Sequence, residues 1–168
     1  MSTRAYIRYV QEQTNRDGDR VTRRAAGTIA SSGTPWLVAI EIGKLRASEP
    51  FDTPTGYVAA HTLPGDTHTL DDVDRHLMDP SVTPPWDVEW SYEVVTDGEH
   101  LTEWQVRVSE GRPPTDGDWA VEGPAELILP ALQELRTGGT RHGFRALMAA
   151  RDDPETSLFD WASGGDDE

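Results

Sequence analysis

Residues 86–108 read WDVEWSYEVVTDGEHLTEWQVRV, two alternating arms around a turn signal at Asp97-Gly98. The first arm sets Trp86, Val88, Trp90, Tyr92 and Val94 on one face, with Asp87, Glu89, Ser91 and Glu93 opposite. The second sets Thr102, Trp104, Val106 and Val108 against Glu103, Gln105 and Arg107. Period-two alternation of this kind marks strands buried on one face. A two-residue turn would mix the faces. A three-residue loop, Thr96-Asp97-Gly98, keeps them apart and places Trp90 opposite Trp104, Tyr92 opposite Thr102 and Val88 opposite Val106, with Gly98 supplying the left-handed residue. The expected architecture is α+β: an antiparallel sheet with a Trp-rich buried face, covered by helices on one side.

Working outward, Ala5–Val10 and Val21–Ile29 read as two further strands around a hairpin signal at Arg16-Asp17-Gly18. Thr34-Pro35 has the form of an N-cap followed by a first-turn proline and introduces a helix to about Leu45. The run Trp36–Ile40 fits a buried strand as well, and Gly43 weakens the helix, so residues 34–45 stay open between the two. Residues 48–65 are rich in proline, glycine and threonine and read as loop, and Thr69–Met78 as a short helix. A short strand is expected at Trp119–Val121. A helix over Ala125–Thr137 follows, with Pro130 kinking it or ending its first turn, and another over Thr140–Arg151. Residues 1–151 thus form one globular domain, and residues 152–168 an acidic C-terminal tail.

Composition narrows the function classes. The 168 residues carry 30 acidic against 15 basic side chains, a formal net charge of −15, and no cysteine. A surface so acidic repels phosphates and anionic membranes, which argues against nucleic-acid and membrane partners. Without cysteine there is no disulfide, thiolate metal site or thiol nucleophile. No apolar run approaches the length of a membrane span and no secretory signal opens the sequence, so a cytoplasmic protein is expected. Phosphate-loop, dinucleotide, zinc-protease and serine-elbow signatures are missing, and no motif calls for a cofactor.

Three constellations are candidates for function. His61, Asp66 and His68 combine imidazole and carboxylate donors suited to a transition metal, though loop residues of these types are more often simply solvated. Gly139, Thr140 and Arg141 open a helix, where free N–H groups beside a guanidinium suit an anion; a Gly-Gly turn between helices explains the same residues without a ligand. Asp87, Glu89 and Glu93 on the outer strand face, with Leu158, Phe159 and Trp161 in the acidic tail, would meet a protein partner of basic surface; the three tail side chains more often simply fold back and close the core. The reading that follows is a non-enzymatic acidic interaction protein of inhibitor, immunity or accessory type. Its alternatives are a small enzyme or ligand binder using His61–Asp71, and a structural subunit of a larger assembly.

Overall fold

Ten residues of alternating character on each side of a glycine turn form the first hairpin. β1 (Ala5–Thr14) pairs antiparallel with β2 (Arg20–Ile29), from Ala5 opposite Ile29 to Thr14 opposite Arg20. Gly18 takes φ +85° in the turn, a conformation that costs glycine little. The computed structural model describes residues 3–14, 16–29, 32–47, 84–97, 103–136 and 139–153. The loop expected over 48–65 and the helix over 69–78 lie outside them.

Residues 35–47 are helical (α1, Pro35–Ala47), which decides between the two readings of this segment. The start is held by the backbone: the Leu37 and Val38 N–H groups donate to the Thr34 carbonyl, at 3.1 Å each. The Thr34 hydroxyl is buried without a hydrogen-bond partner among the described residues, so the proline's fixed φ and the carbonyl do the work expected of a side-chain cap.

β3 (Trp90–Asp97) and β4 (Trp104–Glu110) are antiparallel neighbours, but in a different register from that expected. Val94 faces Val106, Tyr92 faces Val108, Thr96 faces Trp104, and Trp90 faces Glu110. The two registers differ by an even number of residues, so both keep the same side chains on the same face; alternation alone cannot separate them. Of the three indoles expected on that face, Trp90 and Trp104 are in the core, whereas Trp86 precedes the strand in a turn and is 87% exposed.

The sheet is mixed, which corrects the expectation of an antiparallel one. Its order is β2-β1-β3-β4-β5, where β5 is Val121–Pro124, and β3 runs parallel to β1 with Ala5 opposite Trp90. β2 occupies one edge of β1 and β3 fills the other; strand polarity across so long a separation leaves no trace in local alternation. β5 also starts later than expected, and its last residue, Pro124, is at the same time the N-cap of the helix that follows. α2 (Ala125–Glu134) passes through Pro130, whose ring is on the exposed side, and α3 runs from Thr140 to Asp152.

One core joins one sheet face to the three described helices. Ile7, Tyr9, Tyr92, Val94, Val106 and Val108 meet Val38 and Ile42 of α1, Ile128 and Leu132 of α2, and Phe144 and Leu147 of α3. Trp90 meets the Phe144 ring edge-on, with centroids 4.9 Å apart, a favoured aromatic geometry. Among the described residues no helix is long and apolar enough to cross a membrane.

Candidate functional site

The opposite face of the sheet carries a row of charges. Arg8, Glu93, Arg107 and Glu122 stand directly opposite one another across β1, β3, β4 and β5. Glu93 is the pivot, with a side chain only 5% exposed. Arg8 donates to its Oε2, and Arg107 donates through Nη1 to its Oε1 at 2.6 Å. Arg107 also reaches Glu122 through Nε, at 3.1 Å. A carboxylate at this depth needs such partners, because removing one half of a buried ion pair strands the other charge. Strand alternation put these residues on one face; the cross-strand order that links them required the parallel β1–β3 pairing.

Beside this row lies a groove of about 400 Å³, lined by Arg8, Val10, Glu12, Thr22, Glu93, Val95 and Arg107. Val10 and Val95 are opposite each other and form its apolar strip. Glu12 faces Thr22 across the hairpin and is ion-paired with Arg20. Next along the sheet is Tyr6, whose phenol is pushed up by burial, an effect that Arg8 opposes and Glu93 reinforces.

A second cluster gathers where β1, β3 and β4 meet α3. The Glu89 N–H donates to the Arg4 carbonyl and the Gly111 N–H to the Glu89 carbonyl, at 2.9 and 2.7 Å. These bonds hold the turn carrying Trp86 and Asp87 to the sheet. Asp87 is ion-paired with Arg4, while Arg141 reaches Glu89 at 3.4 Å and Glu110 at 3.8 Å. Glu110 also lines a cavity of about 350 Å³ with Asp118, Trp119, Met148 and Arg151. Arg151 is held there by the Trp119 and Ala120 carbonyls.

The structure distributes the sequence candidates unevenly. Asp87 and Glu89 fall in this cluster, whereas Glu93 belongs to the buried charge row and is shared between two guanidiniums. Gly139 precedes α3 with φ +80°, and its carbonyl accepts from the Gly143 N–H at 2.9 Å. Thr140 is half-buried, and the Arg141 guanidinium is engaged by carboxylates. His61, Asp66 and His68 lie outside the described residues, as do Leu158, Phe159 and Trp161. Among the described residues no three His, Asp or Glu side chains converge as a metal site. The charge row and the exposed indole were missed in the sequence. The period-two positions of Arg8 and Arg107 carried a signal for the first, and Pro84-Pro85 ahead of Trp86 a signal for the second.

The chain matches no family model. It likewise has no significant match among curated proteins or solved structures.

Proposed function

We propose that this chain is a cytoplasmic, non-enzymatic interaction protein that docks a protein partner of basic surface at the cluster around Trp86. The observation that carries this reading is the indole of Trp86, 87% exposed beside Asp87 in the turn that precedes β3, in a chain of net charge −15. Tryptophan is prominent among residues that dominate binding energy when buried in a partner's pocket, and exposed large apolar side chains framed by polar ones mark such anchors. Many described arginines are already engaged with carboxylates: Arg4, Arg8, Arg20, Arg46, Arg107, Arg141 and Arg151 each have one. The surplus negative charge is therefore left to act outward, favouring the association rate and the choice of a basic partner.

The test is capture of partners from native host lysate by the full chain and by Trp86→Ala, at low and raised salt. A stoichiometric basic partner should be retained by the parent at low salt and weakened by salt. Trp86→Ala should weaken it by about 2 kcal/mol, roughly thirtyfold, with the fold unchanged. Capture indifferent to both salt and Trp86→Ala would sink the proposal.

A further inference from the structure

We infer that the groove across the charged face of the sheet binds a short peptide with free termini, held as a zwitterion. Its residues are distinct from the docking cluster, so the two proposals stand or fall separately.

The groove has two unlike flanks. On one, the guanidiniums of Arg8 and Arg107 straddle Glu93, and the two side chains remain 34% and 37% exposed. Each guanidinium has five N–H donors in a planar fork. Arg8 directs Nε and Nη2 at Glu93, while Arg107 directs Nη1 at Glu93 and Nε at Glu122. Nη1 of Arg8 and Nη2 of Arg107 are left as donors without a partner among the described residues, and together they suit a carboxylate. The other flank offers Glu12 and the hydroxyl-bearing Thr22, which suit an ammonium group. The Glu12–Arg20 ion pair is solvent-exposed, and such pairs contribute at most about 1 kcal/mol, so a ligand amine competes readily with Arg20. Between the flanks, Val10 and Val95 provide an apolar strip for small side chains.

Net charge favours a zwitterion over a simple anion. The lining holds two guanidiniums and two carboxylates and is neutral, whereas the whole chain at −15 repels free anions at long range. A ligand with one charge of each sign meets both flanks without that repulsion. Length narrows the class further. Arg8 and Glu12 are four residues apart on one strand, about 13 Å between Cα atoms. Their side chains close part of that gap. The remainder suits an extended di- or tripeptide, at roughly 3.3–3.6 Å per residue, and exceeds the separation of charges in a single α-amino acid. The volume of about 400 Å³ is at the small end of ligand pockets, as this class requires.

Calorimetric titration of the full chain with alanine, dialanine and trialanine tests the inference, alongside trialanine capped at either end and acetate. Saturable binding of di- or trialanine is expected, at least about tenfold weaker for free alanine, acetate and either capped form. Val95→Trp should fill the groove and abolish binding with the thermal midpoint retained; Arg107→Lys, which keeps the charge but loses the fork, should weaken it about tenfold. Should Val95→Trp fail to fold, Thr22→Trp closes the groove from its exposed edge and is read the same way. Absence of saturable binding by both peptides at millimolar concentration would overturn the inference. So would equal binding of capped peptides or acetate, or binding that survives the groove-filling variant.

Discussion

Tyr92 shows how much a single buried polar group constrains this fold. Its ring is packed in the core, and its hydroxyl donates to the Gly33 carbonyl at 2.6 Å, joining β3 to the residues that enter α1. Burial pushes its phenol well above the ordinary value near 10, because the phenolate would lose its hydration. Below about pH 10 the folded and unfolded chains both hold this proton, and the contribution to stability is constant. Above it the unfolded chain releases the proton while the folded chain keeps it, so stability falls by up to about 1.4 kcal/mol per pH unit. Tyr92→Phe should cost about 1–2 kcal/mol at neutral pH, because the Gly33 carbonyl loses its donor. The same variant should flatten the alkaline limb. Urea unfolding of parent and variant between about pH 8 and 11 measures both effects; parallel alkaline limbs would show that Tyr92 is not the titrating group. Tyr6, pushed up in the same direction, adds a second alkaline contribution that the variant leaves in place.

At the scale of the element, the two glycines flanking and within α1 should respond oppositely to the same substitution. A Cβ on Gly33 would lie 2.5 Å from the Ala5 Cβ and 2.8 Å from the Thr3 carbonyl oxygen, where the Gly33 N–H already donates to that oxygen. Gly33→Ala must therefore push the entry of α1 off the start of β1, with an expected loss of about 1–3 kcal/mol. Gly43 lies inside the helix with open space where a Cβ would go. Gly43→Ala should gain about 0.5–1 kcal/mol by removing backbone entropy from the unfolded chain. Denaturant midpoints of the two variants check both signs. These glycines also mark the limit of what was legible in the sequence. The alternating arms signalled which faces of β3 and β4 are buried, because that signal is local; Thr34-Pro35 offered a helix, but the equally local apolar run Trp36–Ile40 fitted a strand and left the segment open. The register of that hairpin, the parallel entry of β3 beside β1 and the contact of Gly33 with Ala5 depend on residues far apart in the chain. The candidate site divided in the same way: alternation marked Asp87, Glu89 and Glu93 as one acidic outer strand face, but that β3 begins only at Trp90 and that Glu93 is buried between Arg8 and Arg107 needed the order β1-β3-β4.

For the whole molecule, the imbalance of 30 acidic to 15 basic side chains acts on folding and binding with opposite signs. Compaction brings like charges together, and the self-repulsion destabilises the folded state more than the expanded one. The ion pairs oppose this only locally. Most are exposed, and pairs of that kind contribute between about 0 and 1 kcal/mol each; the Glu93 pairs, largely withdrawn from water, are screened less. Raising salt shortens the screening length from about 30 Å at 0.01 M to about 10 Å at 0.1 M, which removes the distant repulsions first and leaves the close Arg8–Glu93–Arg107 contacts nearly intact. Added salt should therefore stabilise the fold, by about 1 kcal/mol or roughly 2–4 °C in Tm over that interval. Attraction to a basic partner relies on the same long-range field and should weaken over the same interval, mainly through a slower association rate. Thermal melts and association kinetics recorded in one salt series check the pair. A Tm that falls with salt would mean that the ion pairs outweigh the repulsion, and the net charge would then be no measure of the field offered to a partner.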